Sequence, residues 1–173
     1  MKTVRTLQEE TPVRCGDQSE TSSIPIVSEW RVVSVREVPT PESMLLCETP
    51  EAVAKYWHAN VATAPHFNPE CECFAVLLLN VKLRVRGHHI VSVGMLNETM
   101  AHPREVFRAA IIGGAYAVVL MHNHPSGEPE PSAADLQMTK VLVDSGKLLR
   151  IGVHDHVIIG HERHCSFRAA GLL

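Results

Sequence analysis

Hydrophobic positions fall into short blocks separated by polar turns, and the spacing inside each block predicts its element. Residues 29–38 (EWRVVSVREV) alternate with the two-residue period of a half-buried strand. In TPEAVAKYWHAN, Thr49 suits an N-cap and Pro50 the first helical position, so a helix follows. Residues 73–80 (CFAVLLLN) make a continuous apolar run of strand length. Residues 83–96 (LRVRGHHIVSVGML) make a second strand, and the short link predicts an antiparallel hairpin. A helix over 102–114 opens at Pro103 and closes at Gly113 and Gly114. A short buried strand is predicted over 115–121. A helix over 132–149 follows, with Leu136, Val141 and Leu142 among its apolar positions. Residues 154–160 and 164–168 read as closing strands. Helices and strands alternate but include a hairpin, so the expected fold is α/β with a mixed sheet flanked by helices.

The first 26 residues show no such pattern. They are polar, with Gly, Ser, Thr and Pro, and read as an arm that is flexible or docks on a partner. A single domain is expected over residues 27–173. The length suits one domain, and 45% apolar residues can fill a core in which aliphatic side chains dominate, because aromatics are only 5%.

Charge and cysteine usage narrow the function. A formal net charge of −3 does not support DNA binding or attraction to anionic lipid. The RVR at 84–86 reads as strand surface. No apolar run reaches the roughly 18 residues of a membrane span, and the N-terminal residues lack the apolar centre of a signal peptide. Cys15, Cys47, Cys71, Cys73 and Cys165 are odd in number and form no CxxC pair. A reduced, cytoplasmic protein is therefore expected. Cys71 and Cys73 have a chelating reading, but alternate residues at a strand start are the commoner bystanders.

The segment VVLMHNHPSGEPEPSAAD (118–135) carries the chemistry. His122 and His124 are two apart, so on a strand they project to the same side. Pro125, Ser126 and Gly127 turn the chain, and Ser132 suits the N-cap of the next helix. Asp135 falls at its third position, back at the level of the cap. Two imidazoles and a carboxylate can then converge as a zinc set of three protein ligands plus water. Ser-x-x-Asp is by itself a capping device and His-x-His by itself is weak; the conjunction is what points to metal.

The stretch HNHPSGEPEPSAAD resembles the JAMM (MPN+) metalloprotease motif, H-x-H-P followed by S-x-x-D, in its RadC-like branch. HPREVFRAAI upstream and LVDSGKLLRIGVHDHVIIG downstream are similar to the same branch, and the resemblance covers roughly residues 45 to 170. It implies a JAMM/MPN-type fold with the three layers of cytidine deaminases. It also implies Zn2+ held by His122, His124 and Asp135, with water as fourth ligand. Ser132 would donate a hydrogen bond to a developing oxyanion. The family's glutamate base, from the start of an earlier strand, falls on Glu72 in ECECFAVLLLN, with Glu70 and Glu98 as alternatives. The implied activity is that of a zinc metallopeptidase or isopeptidase-like hydrolase. Its substrate would be a protein or peptide, a conjugated small protein among the candidates. Larger RadC-like proteins carry a helix-hairpin-helix region before this domain, and the arm here is too short and too polar to match it. The rival readings are a DNA-repair or mobile-element accessory protein acting by binding, and a zinc-binding pseudoenzyme.

Three further residues stand near this chemistry. Asp155 or His156, in the HDH of 154–156, could support the zinc ligands from behind, against an ordinary structural role in the sheet. His102 either caps the helix begun by Pro103 or lines the cleft. His88, His89, His161 and His164 lie near expected turns and read as exposed.

Overall fold

The computed structural model describes residue 42, residues 46–94 and residues 101–173. The strand expected over 29–38, the polar arm, the boundary after residue 26 and Glu98 lie outside the described residues.

The described elements are α1 (Pro50–Tyr56), β1 (Cys73–Leu79), β2 (Val85–Val93), α2 (Pro103–Ile112), β3 (Ala117–Asn123), α3 (Ala133–Leu149), β4 (Gly152–Ile159) and β5 (His164–Ser166). Helix α1 continues as a π-helical turn over Trp57–Val61. Thr49 caps α1, its side chain accepting from the Ala52 N–H, and Pro50 occupies the first turn, as the sequence predicts.

The strands lie in the order β2-β1-β3-β4-β5. Strand β1 is antiparallel to β2 and β3, β3 is parallel to β4, and β4 is antiparallel to β5. The sheet is thus mixed and flanked by helices. Every residue of β1 and β3 is buried, because each lies between two neighbours and both faces are covered. That is why these two strands read as unbroken apolar runs. Strand β3 continues through His122 and Asn123, beyond the expected end at Met121. Phe74 pairs with His122 and Ile159 with Asn123, so the ladder persists on both sides.

Alternation along the strands makes two cores. Ala75, Leu77, Leu79, Val119, Met121, Val157 and Ile159 pack with Val53, Tyr56 and Trp57 of the α1 layer. Phe74, Val76, Leu78, Val118 and Leu120 pack with Val106, Phe107 and Ala110 of α2 and Met138 and Leu142 of α3. On β3 this second face also carries His122.

Helix α3 buries Asp135, Met138, Thr139, Leu142 and Gly146. Those spacings of three and four define one helical face against the sheet. Leu142 fits the expectation. Leu136 and Val141 are exposed at 41% and 47%, because they lie off that stripe. Gly146 is needed where α3 turns back into β4, since a Cβ there would press on the Ile151 carbonyl oxygen and the Phe107 ring. No helix among the described residues is long and apolar enough to cross a membrane.

Three histidines, His88, His89 and His164, differ from expectation. His88 and His89 lie within β2, partly buried, rather than in a turn. The His88 Nδ1 sits 3.0 Å from the Tyr56 hydroxyl. His161 is exposed and His164 is partly buried in β5.

Candidate metal centre

The end of β3 and the start of α3 meet on the α2/α3 side of the sheet. Ser132 is the N-cap of α3, and its hydroxyl oxygen accepts from the Asp135 N–H. Asp135 Oδ2 accepts in return from the Ser132 N–H at 2.8 Å and the Ser132 hydroxyl at 2.6 Å. This capping box turns the carboxylate back toward the strand end.

The two imidazoles come to meet it. His122 Nε2 lies 3.2 Å from Asp135 Oδ1, and His124 Nε2 lies 3.5 Å from Asp135 Oδ2. The two Nε2 atoms are 3.0 Å apart. A tetrahedral zinc ion with bonds of about 2.0–2.1 Å holds its ligand atoms roughly 3.3 Å from one another. The spacing of the two Nε2 atoms is close to that edge, each imidazole approaches a different oxygen of Asp135, and one ligand atom from each of the three residues can be chosen so that all lie within 4.8 Å of one another. The donor types fit as well. His124 Nδ1 lies 2.7 Å from the Glu128 carbonyl oxygen and must donate to it, so that once the ring gives up its second proton the lone pair falls on Nε2, toward the cluster. Among the described residues these three form the convergent set of metal-capable side chains; Cys71 and Cys73 take no part in it. Cys73 is buried on the α1 face of β1, and the Cys71 sulfur accepts from Asn68 Nδ2.

The electrostatics are those of a tightly held cluster. Burial pushes the His122 imidazole below its ordinary value, against the opposing pull of Asp135. His124, less buried, is raised, chiefly by its hydrogen bond with Asp135. Burial alone would raise the Asp135 carboxyl, but its contacts with His122, His124 and Ser132 outweigh burial and hold it well below the carboxylate range. The negative charge of Glu72 favours the protonated form of both histidines, as the smallest of their influences. Glu72 immediately precedes β1 and is partly buried. Glu70, the alternative two residues back, is exposed in the turn before it and lies outside the strand.

The remaining candidates separate clearly. His156 is fully buried on the same side of the sheet, its Nε2 2.8 Å from His122 Nδ1. Its other nitrogen lies 2.6 Å from the Thr139 hydroxyl. Asp155, one residue earlier, faces the opposite side. It accepts from the Ser166 hydroxyl at 2.6 Å and the Arg168 N–H at 3.0 Å, tying β4 to the segment around β5. Strand alternation thus sends only one of the pair toward the ligands. His102 caps α2, its Nδ1 accepting from the Arg104 N–H at 3.1 Å.

Sequence reasoning missed two residues. Thr139 read as an ordinary helix position; its place four residues after Asp135 on the buried stripe was the available signal. Asn123 stood unnoticed between the histidines. Its Oδ1 accepts from the Cys73 N–H at 2.9 Å and its Nδ2 donates to the Cys71 carbonyl at 3.1 Å.

The family model for the RadC-like JAB domain matches residues 47–172, which takes in every element described above. The chain belongs to the RadC-like JAB domain family. A UPF0758 protein of Chlorobaculum parvum is 50% identical over 98 residues, covering 57% of this chain and 44% of that protein. One from Caldanaerobacter subterraneus is 49% identical over 100 residues, 58% of this chain and 43% of that protein. One from Trichodesmium erythraeum is 41% identical over 128 residues, 74% of this chain and 51% of that protein. The RadC-like JAB chain thus matches about half the length of these curated relatives.

Proposed function

We propose that this RadC-like JAB chain is a zinc-dependent amide hydrolase of the metallopeptidase type, acting on a protein or peptide. The observation that carries the reading is the convergence of His122 Nε2 and His124 Nε2, 3.0 Å apart, on the Asp135 carboxylate, His122 facing Oδ1 at 3.2 Å and His124 facing Oδ2 at 3.5 Å. His122, His124 and Asp135 would hold the ion. When bound, zinc supplies Lewis acidity that makes water a competent nucleophile near neutral pH.

The chain's own groups do the rest. Glu72 accepts the proton of the attacking water and returns it to the leaving amine nitrogen, so the C–N bond breaks without releasing a bare amide anion. The hydroxyl of Ser132 now donates to Asp135 Oδ2. Turning that proton to the carbonyl oxygen of the substrate would stabilise the oxyanion. Asp135 Oδ2 would still keep the Ser132 N–H, 2.8 Å away.

The test pairs metal analysis with turnover of a panel of peptides and ubiquitin-like conjugates. One zinc per chain is expected. Glu72→Gln should keep zinc and lose about a hundredfold or more in rate. His124→Ala should lose zinc and rate together, while Glu70→Gln and Glu98→Gln stay active. A wild type that rejects added zinc, or a fully active Glu72→Gln, would overturn the reading.

A further inference from the structure

Beyond the ligands, a proton-ordered chain of three side chains runs from β3 through β4 to α3. Thr139 donates its hydroxyl hydrogen to the Asp135 carbonyl oxygen at 2.6 Å. A hydroxyl has one hydrogen, so toward His156 Nδ1, also 2.6 Å away, the Thr139 oxygen can only accept. His156 must therefore carry its hydrogen on Nδ1. In a neutral imidazole that leaves Nε2 as an acceptor. The 2.8 Å contact between His156 Nε2 and His122 Nδ1 is then a bond donated by His122. With its hydrogen on Nδ1, His122 presents a bare Nε2 to the cluster. Each direction follows from the one before it, starting at a single threonine hydroxyl.

The surroundings enforce this order. Thr139 and His156 are 1% and 0% exposed. The Phe74 ring stacks on His122 at 5.9 Å, and the Phe167 ring lies 4.5 Å from His156. The two imidazoles are thus packed among aromatic rings, His156 bonded through both ring nitrogens along the chain and His122 through its Nδ1. Thr139 also grips the backbone of Asp135, so one hydroxyl serves the ligand from β3 and the ligand from α3.

We propose that Thr139 and His156 are positioning residues that fix the tautomer of His122 and so set it to bind metal through Nε2, as the Glu128 carbonyl does for His124. The metal half of this rests on the zinc site proposed above; the tautomer half stands without it. Nitrogen-detected NMR of the metal-free wild type should show hydrogens on Nδ1 of both His122 and His156. Zinc affinity, measured by competition with a chromophoric chelator, should fall about 10- to 100-fold in Thr139→Val and His156→Phe. Thr139→Ser, which keeps the hydroxyl, should restore affinity to within about threefold of the wild type, a rescue that simple packing loss would not give. In a Thr139→Val variant that is too unstable to assay, the wild-type spectrum and the serine variant still decide. A hydrogen on His122 Nε2 in the metal-free wild type, or wild-type zinc affinity in a folded Thr139→Val, would overturn the proposal. A wild type that shows both Nδ1 hydrogens yet binds no zinc would uphold the relay and sink the hydrolase reading.

Discussion

Asn123 holds the backbone of Cys73. The amide oxygen accepts from the Cys73 N–H at 2.9 Å, across a separation of 50 residues, and the amide nitrogen donates to the Cys71 carbonyl. Glu72 lies between those two anchor points. The middle residue of His-Asn-His, pointing away from the metal cluster, thus fixes the segment that supplies the carboxylate. Asn123→Leu should keep zinc but lower turnover, because Glu72 loses its tether. It should also cost about 1–3 kcal/mol, since the Cys73 N–H is left buried and unpaired. Zinc content, a urea midpoint and a rate measured on one preparation check all three.

Zinc binding should strengthen with pH. In the metal-free protein the raised His124 imidazolium pairs with the depressed Asp135 carboxylate. The histidine's contribution to folding is full below its ordinary 6.5 and is lost as pH rises through its raised value. The aspartate's is full above its ordinary 3.8 and is lost only on strong acidification. A zinc ion must displace the His124 proton, so it competes poorly at low pH. The zinc-induced rise in Tm should be small at pH 5.5 and grow through pH 8. Thermal melts with and without zinc across that range measure it; an increment that shrinks with rising pH would contradict the assignment.

The loop from β3 to α3 depends on Gly127. Its φ of +82° lies in the left-handed region, and a Cβ there would overlap the His161 ring. The next residue, Glu128, supplies the carbonyl that orients His124. Its side chain is in turn paired with Arg163 from the turn between β4 and β5. Gly127→Ala should weaken zinc binding by moving that carbonyl. Adding His161→Ala should recover only part of the loss, because the backbone cost of about 1–2 kcal/mol remains. Chelator competition on the single and double variants reads both effects.

Buried thiols should make the fold sensitive to alkali. Burial pushes Cys47 and Cys73 up to about 11 from an ordinary 9.0. The unfolded chain therefore ionises first. The stability contribution of these thiols is full below pH 9 and is lost as pH rises toward 11, amounting to a few kcal/mol at about 1.4 kcal/mol per pKa unit. Urea midpoints at pH 8 and pH 10 should separate widely in the wild type and less in Cys73→Ala.

Much of this centre was written locally. Pro50 and Pro103 mark helix starts, the apolar run before His122 marks a central strand, and Ser132 with Asp135 marks a cap. Each is a signal within a few residues. The parts that stayed hidden depend on register between distant segments. Nothing near Asn123 announces Cys73; only the antiparallel pairing of β1 with β3 brings them together. His156 meets His122 because β4 runs parallel beside β3, and Thr139 meets His156 through the rotation of α3. The outward positions of Leu136 and Val141 have the same origin. An apolar residue at helical spacing does not say which neighbouring stripe the sheet will cover.

The parallel β3–β4 pair also sets an order of assembly. His122, His124 and Asp135 leave the ribosome close together, but the ring that orients His122 follows 34 residues behind it. During synthesis, a chain that has reached only α3 owns all three ligands yet has nothing to choose the tautomer of the first. Under the proposed relay, tight metal capture would wait for β4 to dock, a non-local step. Until then a passing zinc ion meets three loosely held side chains. On the proposed zinc and tautomer readings, the parallel strand would act as a check on maturation, and the ion would be held tightly only by chains that have completed their sheet.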